Sequence, residues 1–317
     1  MSEVTSPSTK SFAFMFIAIF GWGFSSSFIE FGLKYLNPMP FLFYRFLIAV
    51  LILTPYALIY KRAEIWKLLR NRLTWMIGIS EVCGLTVQYF GQETVPAGLA
   101  ALLSLLFILI VPFISPFLLD EKLTKTHLIA MIIAFTGVFL ISSEGNLSNL
   151  KFDSLIGVLL LIGAAFAYAF YIMFSAMLNK NDKEADAFAL FYLVMMIITG
   201  FTALNTMIFD KFQRIPTPAY KWLLGLAIFS TIIAFLFYFL AVREISANVA
   251  SVLLPLQALV PFIIDYFYVG RRYSGWVISG ALLIVLAMVL VVGEPFYLQF
   301  RMRNQIKVRM EEPITGN

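Results

Sequence analysis

Two side chains of opposite charge, Glu81 and Arg45, lie within long apolar stretches of the sequence. A charged group at the centre of a membrane helix costs about 2.5–3.5 kcal/mol on insertion scales, so each needs a partner or a purpose. Glu81 could bind a proton or a substrate ammonium group, or it could pair with Arg45. Arg45 could hold a substrate carboxylate through two parallel N–H bonds, or it could extend outward and pair with Glu30. The sequence makes both residues candidates for substrate binding or coupling and leaves these alternatives open.

Other side chains that could contact a ligand lie in neighbouring apolar stretches. Amide and hydroxyl groups could form hydrogen bonds with a ligand, and aromatic rings could hold a planar or cationic group. Packing is the simpler explanation for some of them, because Trp22 stands among small residues that let helices approach closely. These candidates are Trp22, Gln88, Ser104, Tyr168, Tyr171, Tyr238, Ser251 and Gln257.

Two prolines, Pro112 and Pro261, also point to a central site. Proline lacks the amide that would bond the carbonyl four residues earlier, so Pro112 should loosen its helix at Ile108 and Pro261 at Gln257. Free carbonyls are tolerated at membrane depth only beside protein or a water-filled cavity. Breaks at corresponding places in two halves of a chain are typical of a transporter's substrate site. Both prolines are therefore candidates, although they could also serve only to shape helix packing.

A group of charged residues follows the fourth apolar stretch. Asp120 and Glu121 stand beside Lys122, Lys125 and His127. Opposite charges this close in sequence favour a charge network at the membrane surface, which could bias a gate or fix the turn. His127 is more simply an interfacial residue than a proton relay.

The composition predicts that these residues belong to a membrane protein. Of the 317 residues, 61% are hydrophobic and 13% are charged, and the mean hydropathy is +0.89. Soluble proteins are roughly half apolar and a quarter charged. Most apolar stretches approach the ~20 residues that cross ~30 Å of hydrocarbon. We predict an all-α integral membrane protein with ten transmembrane helices, at residues 11–33, 39–60, 73–90, 97–119, 127–142, 155–178, 187–209, 219–242, 247–269 and 274–292.

The sequence also repeats itself. Tyr89-Phe90 and Val111-Pro112-Phe113-Ile114 return 149 positions later as Tyr238-Phe239 and Val260-Pro261-Phe262-Ile263. This register holds across an apolar stretch, its loop and part of the next stretch, which predicts two homologous halves.

Five helices in each half would make the two repeats inverted, because an odd number forces the second half to start from the opposite side. Lys and Arg near span ends favour the cytoplasm, and 15 of them fall on the side of the N-terminus against 7 on the other side. Both termini are therefore predicted to be cytoplasmic. The predicted organisation is an N-terminal tail at 1–10, a first repeat at 11–142, an extracytoplasmic linker at 143–154, a second repeat at 155–292 and a basic C-terminal tail at 293–317.

Short motifs within the two halves resemble a known family. They are Gly21-Trp22-Gly23-Phe24-Ser25-Ser26-Ser27-Phe28 in the first helix, Arg45-Phe46 in the second, Pro96-Ala97-Gly98-Leu99-Ala100-Ala101 at the start of the fourth, the turn Asp120-Glu121-Lys122-Leu123-Thr124, and Ser246 to Pro255 in the ninth. Together they look like the EamA branch of the drug/metabolite transporter superfamily. The resemblance covers about residues 11–292. The second turn departs from the family pattern, since Gly270 is followed by Arg271 where the family usually has an acidic residue.

The resemblance implies a carrier, often an exporter, of amino acids, metabolites or drugs. We expect a secondary active transporter that works by alternating access between the repeats in a plasma or inner membrane, with Glu81 as a possible proton site. One alternative is an exchanger of phosphorylated or nucleotide-linked metabolites. Another, of a different class, is a membrane sensor or assembly factor that transports nothing. A small-molecule substrate and the lipid bilayer are the expected partners, and a homodimer is compatible with this reading.

Several other classes of protein are disfavoured. A single cysteine, Cys83, and a single histidine, His127, leave no basis for an intrachain disulfide, a metal cluster or a catalytic site built on two histidines. The sequence has no phosphate-binding P-loop and no HExxH pair. We predict no enzyme activity, metal or cofactor. The net charge of +5 comes from loops beside apolar stretches and gives no reason to expect nucleic-acid binding.

Overall fold

The protein is described here by a computed structural model that covers residues 7–95, 103–121, 123–150, 155–260, 267 and 273–311. Within these ranges, the side chains of residues 26, 27, 30, 92, 93, 149, 150 and 295–311 are not described. The regular elements of the described residues are all helical. They are α1 (Thr9–Gly32), α2 (Pro38–Tyr60), α3 (Arg62–Leu69), α4 (Arg72–Thr94), α5 (Phe107–Leu119), α6 (Lys125–Ser143), a 3-10 turn (Leu147–Leu150), α7 (Leu155–Asn181), α8 (Ala187–Phe209), α9 (Thr217–Ala241), α10 (Ala247–Leu259) and α11 (Gly275–Glu311).

Six of the described helices are long and apolar enough to cross a membrane. Parts of α1, α5 and α10 form shorter apolar helices of 10–17 residues. Helix α4 has 23 residues, but it contains Glu81 and Gln88 and is not among the six. The prediction of an all-helical membrane protein is thus confirmed. The predicted spans at 97–119 and 247–269 extend into residues outside the description. The six long apolar segments are Pro38–Tyr60, Lys125–Ser143, Leu155–Asn181, Ala187–Phe209, Thr217–Ala241 and Gly275–Glu294.

Contacts between helix ends show which ends lie together: Lys61 after α2 pairs with Asp186 before α8, and Glu121 after α5 accepts from the first amides of α10. We call the end where α1, α4, α6, α8 and α10 begin the charged end, and the end where α2, α5, α7, α9 and α11 begin the opposite end. Helix α3 lies at the charged end, between α2 and α4. The five long helices that begin at the charged end all have a side-chain N-cap, which accepts a hydrogen bond from an otherwise unpaired amide, whereas the short helix α3 has none. The capping residues are Ser8, Asn71, Thr124, Asp186 and Ser246.

The helices pack across the two predicted halves. Helix α4 packs on α7 and α8, α1 packs on α9 and α10, α2 packs on α8 and α9, and α6 packs on α11. The α6–α11 contact depends on Gly137 and Gly280. A Cβ on Gly137 would lie 2.6 Å from the Gly280 carbonyl oxygen, and a Cβ on Gly280 would lie 2.5 Å from the Gly137 carbonyl oxygen. Any larger residue at either position would force these helices apart.

Three helices depart from α-helical geometry over part of their length. Residues Leu226–Ile233 of α9 form a π-helical segment, and Leu254–Leu259 of α10 form a 3-10 segment. Just before α5, the Ile108 amide bonds the Leu105 carbonyl at 3.1 Å, which is also 3-10 geometry. The irregular turns before α5 and within α10 fall at corresponding places in the sequence repeat.

Candidate functional site

Arg45 is buried in the middle of the bundle, where α2 meets α1 and α9. Only 4% of its surface is exposed. Its Nε atom donates to the Thr231 hydroxyl at 2.8 Å, one terminal nitrogen donates to the Ser230 carbonyl at 3.0 Å, and the other donates to the Ser25 hydroxyl at 3.3 Å. The guanidinium also lies 5.1 Å from the centre of the Phe46 ring. Arg45 is thus held by neutral groups; the side chain of Glu30, the other proposed partner, is not described.

Glu81 lies on α4 and is also buried, with 6% of its surface exposed. Arg45 acts on Glu81 electrostatically. Among the described residues, however, no ion pair or hydrogen bond involves the Glu81 carboxyl group. A buried carboxylate without a partner is costly, and either a proton or a bound cation would remove that cost.

Two predicted residues lie beside this pair and contact each other. The Tyr168 hydroxyl on α7 donates to the Gln88 side-chain carbonyl on α4. Tyr89, the neighbour of Gln88, is buried, and its hydroxyl has no hydrogen-bond partner among the described residues. Arg45 acts electrostatically on both tyrosines. The polar groups of α2, α4 and α7 therefore converge on one region.

An aromatic cluster forms one wall of the same region. The Tyr171 and Tyr238 rings are stacked, with centroids 5.3 Å apart. Trp22 packs on Tyr238 at 5.3 Å and edge-on against Phe235 at 5.0 Å. Phe46, next to Arg45 in sequence, packs against Phe235 at 6.2 Å. We call Arg45, Glu81, Gln88, Tyr168 and these aromatic residues the central cluster.

The other predicted site residues are placed less favourably. Ser104 is buried, and its hydroxyl has no partner among the described atoms. Ser251 donates to the Asn248 carbonyl within its own helix at 2.8 Å. Gln257 is half-buried in the 3-10 segment of α10. Pro112 lies inside α5, which continues to Leu119, and Pro261 lies outside the described residues.

Glu121 joins the two halves at the charged end. Its carboxylate accepts hydrogen bonds from the Ala247 amide at 2.9 Å and from the Asn248 amide at 3.1 Å. These are the first two amides of α10, where a negative charge is favoured by unpaired N–H groups and by the helix dipole. Burial raises the pKa of the Glu121 carboxyl above its ordinary value, although both amides oppose the rise. Nearby, the Ser115 hydroxyl of α5 donates to the Asn248 side-chain oxygen at 2.8 Å.

Three lysine–aspartate ion pairs occur among the described residues, together with one contact between a histidine, which is charged only when protonated, and a glutamate; all four lie at the charged end. Lys180 donates to Asp120 at 2.8 Å and to the Leu119 carbonyl at 2.8 Å. The bond from Lys180 lowers the pKa of Asp120, just as the bond from Lys67 lowers the pKa of Asp182. The pairs are Lys61–Asp186 at 2.6 Å, Lys67–Asp182 at 2.8 Å, Lys180–Asp120 at 2.8 Å and His127–Glu294 at 3.5 Å.

A cavity of about 680 Å³ opens at the charged end. Four cationic and two acidic side chains line it, so its charged groups carry a net positive charge. Both acidic groups already accept hydrogen bonds, Glu121 from α10 and Glu244 from the Ser8 amide at 2.8 Å. The cationic residues are Lys10, Lys180, Lys183 and Arg243.

Sequence reasoning missed the residues that hold Arg45. Ser230 and Thr231 are both fully buried, but serine and threonine are common in membrane helices and usually bond their own backbone. The π-helical segment that presents them has no sequence motif of its own. The one available signal was that a buried arginine needs several acceptors, which did not say where they would come from.

Comparison with known proteins yields consistent matches. The model of the EamA-like transporter family matches twice, over residues 9–143 and 155–293. An uncharacterized transporter of Bacillus subtilis, YyaM, is 21% identical over 83% of this chain and 87% of its own length. An uncharacterized transporter of Archaeoglobus fulgidus is 24% identical over 90% of this chain and 98% of its own length. One solved crystal structure, 16% identical, has the same fold, with a TM-score of 0.77 over 90% of this chain and 96% of that chain.

Proposed function

Because the chain belongs to the EamA-like transporter family, we propose that it is a secondary active exporter of small metabolites such as amino acids or amphipathic drugs. The chain is a multi-pass membrane protein, and its relatives are named transporters. The observation that carries the proposal is the pair of buried, opposite charges, Arg45 and Glu81, which face one region without forming an ion pair among the described residues. Burying two unpaired charges costs free energy, and such residues are expected where they bind a ligand.

Two features support an arrangement of ten helices in two inverted five-helix repeats, at 11–142 and 155–292. The family model matches once in each half. The main contacts between the halves are also symmetric when the halves are exchanged. The α4–α7 contact corresponds to α9–α1, the α5–α7 contact corresponds to α10–α1, and α2–α8, α5–α10 and α6–α11 each correspond to themselves. We infer alternating access from this symmetry, because exchanging the conformations of two inverted repeats would open the other side of the protein.

The central cluster suits a ligand that carries a charge beside an apolar group. Arg45 would hold a carboxylate and Glu81 an ammonium group or a proton. The aromatic wall of Trp22, Tyr171 and Tyr238 would contact the apolar part of the ligand or a cation. Protonation of Glu81 would couple transport to a proton gradient.

We place the charged end in the cytoplasm of a plasma or inner membrane, with both termini on that side and the 143–154 linker on the other. The basis is the excess of Lys and Arg residues at the charged end. In this arrangement Asp120 and Glu121 form part of the cytoplasmic gate, since they fasten the end of α5 to α7 and α10.

A second candidate function is the exchange of phosphorylated or nucleotide-linked metabolites. The cavity at the charged end favours it, because four cationic side chains line that cavity. The central cluster favours the first candidate instead. Among the described residues, Arg45 is the one cation of that cluster, which suits a ligand with a single negative group. Flux in liposomes separates the two candidates, since phosphate esters would be exchanged while amino acids and amines would not.

The test is transport by purified protein in proteoliposomes with a panel of radiolabelled L-amino acids, cationic drugs and sugar phosphates. We expect flux of an amino acid or drug that depends on pH in the wild type. Glu81→Gln, which keeps the shape but cannot ionise, should abolish the pH dependence and slow flux by about tenfold or more. Glu64→Gln, at an acidic residue of α3 far from the cluster, is the matched control. Unchanged flux and pH dependence in Glu81→Gln would refute proton coupling at this residue.

A further inference from the structure

The π-helical segment of α9, Leu226–Ile233, lies beside Arg45. In an α-helix each carbonyl bonds the amide four residues later, whereas the wider π-helix bonds five residues later and is frequently found at functional sites. Here the Ser230 carbonyl accepts from Arg45 at 3.0 Å, and the hydroxyl of the next residue, Thr231, accepts at 2.8 Å. One short stretch of backbone therefore provides two of the three acceptors that hold the guanidinium.

The way Arg45 is held leaves part of it available. A guanidinium has five N–H donors, and three of them bond Thr231, Ser230 and Ser25. None of these partners is charged, and within the described part of the chain no carboxylate pairs with Arg45. Among the described residues, the guanidinium is thus fixed in place without a negatively charged partner, which is the condition for binding an anionic group.

We propose that Thr231 is the positioning residue of Arg45, and that its hydroxyl, presented by the π-helical segment, keeps the guanidinium in the central cluster to bind a carboxylate or similar anionic group. The Nε–Thr231 bond is the shortest of the three, and it fixes the plane of the guanidinium. Ser25, at 3.3 Å, contributes less. The inference rests on the proposed function, because the anionic group belongs to the transported substrate.

The position of Thr231 also links the site to the motion of α9. Helix α9 packs on α1 and α2, so a change in its π-helical segment moves the support of Arg45. The affinity for an anionic group therefore depends on the geometry of this segment.

The test uses the hydroxyl and the methyl group of Thr231 separately. Thr231→Val keeps the shape and removes the hydroxyl, whereas Thr231→Ser keeps the hydroxyl and removes the methyl group. Thr202→Val is the matched control, since Thr202 is equally buried on α8 and its hydroxyl bonds the Ile198 carbonyl of its own helix at 2.8 Å. Each variant is made in the wild type and in an Arg45→Met background, with Arg45→Gln used if Arg45→Met does not fold.

Thermal unfolding of the purified protein tests the contact without any substrate. Thr231→Val should lower the melting temperature when Arg45 is present and have little further effect when Arg45 is replaced, while Thr231→Ser should behave like the wild type. Thr202→Val should have the same effect in both backgrounds. Equal effects of Thr231→Val in the two backgrounds, or a larger loss in Thr231→Ser than in Thr231→Val, would overturn the proposal in favour of a packing role.

Flux of radiolabelled L-amino acids in proteoliposomes tests the consequence for binding. Thr231→Val should raise the KM by about tenfold or more, the size expected for losing a hydrogen bond to a charged group, and leave the maximal rate within about twofold. Thr231→Ser should restore the KM. A wild type without amino-acid flux would refute the proposed substrates, while the unfolding data would still decide whether Thr231 positions Arg45. A wild-type KM in Thr231→Val would refute the inference alone.

Discussion

The two ends of the helical bundle are fastened by different chemistry. At the charged end, side chains cap the five long helices that begin there, and the three lysine–aspartate ion pairs of the described residues are found there. At the opposite end, α2 begins with Pro38 without a side-chain cap, and the Ser274 hydroxyl before α11 accepts only a long hydrogen bond from the Val277 amide, at 3.5 Å. The described cross-links there are neutral or singly charged bonds, such as Asn37 to Asp210 at 2.9 Å and Tyr44 to the Gln213 carbonyl at 2.7 Å.

This difference indicates that the charged end is held together by contacts that can be released. Exposed ion pairs contribute little each, roughly 0–1 kcal/mol, so the ion pairs alone do not close the charged end firmly. The bond from Glu121 to α10 is partly buried and spans the two halves. We therefore expect Glu121 to dominate closure of the charged end, with the ion pairs as minor contributors.

The largest effect is expected from removing the Glu121 carboxylate. Glu121→Ala leaves the first two amides of α10 without their acceptor, which should lower the stability by about 2 kcal/mol, and Glu121→Gln by about 1 kcal/mol. The melting temperature in detergent measures the loss. Hydrogen exchange of the Ala247 and Asn248 amides should become faster in Glu121→Ala, which removes both acceptors, and faster for one of the two amides in Glu121→Gln, which keeps one acceptor oxygen.

Glu64→Ala is the control for Glu121→Ala. Glu64 is an acidic residue at the same end, and it forms no hydrogen bond or ion pair among the described residues. The Glu64→Ala substitution should leave both the melting temperature and the hydrogen exchange of the α10 amides unchanged. An equal loss in Glu64→Ala would show that net charge, rather than the bond to α10, stabilises this end.

The sequence predicted the members of the central cluster better than their partners. Arg45 and Glu81 were identifiable because charged residues are rare in apolar spans, and both are buried. The contact between Tyr168 and Gln88 joins two residues that were each selected as candidates. The partner of Glu121 could not be found from local pattern, since Ala247 is 126 residues away.

Helix boundaries were predictable where hydropathy changes sharply, and less so where the backbone is irregular. Helix α8 begins and ends at the predicted residues, Ala187 and Phe209. The segment predicted as a regular helix at 219–242 instead contains the π-helical stretch Leu226–Ile233. Hydrophobic periodicity does not reveal a change from four-residue to five-residue bonding, because apolar residues surround the helix at that depth.

The two ends should also differ, by a smaller amount, in how strongly salt changes the loss of stability caused by removing one contact. Lys61→Gln removes the ion pair with Asp186 but keeps the Asp186 cap on α8, so it should cost about 0.5 kcal/mol at low ionic strength and almost nothing near 1 M salt. At the opposite end, Asn37→Ala removes the bond from a neutral amide to Asp210, and its cost should depend less on salt. Melting temperatures of both variants at the two ionic strengths test the contrast. The same salt dependence in both would contradict it.

The smallest effect concerns pH at the charged end. The hydrogen bond from Lys67 lowers the pKa of Asp182 below its ordinary value, so the pair stabilises the folded protein above the ordinary aspartate pKa of about 4. That contribution is lost only as the pH falls through the lowered pKa. The difference in melting temperature between wild type and Lys67→Gln should therefore be constant from about pH 8 to pH 5 and shrink below about pH 4. Glu121 should respond at higher pH than Asp182, because burial raises its pKa. A difference that already shrinks between pH 8 and pH 5 would show that this ion pair, rather than Glu121, makes the charged end sensitive to pH in that range.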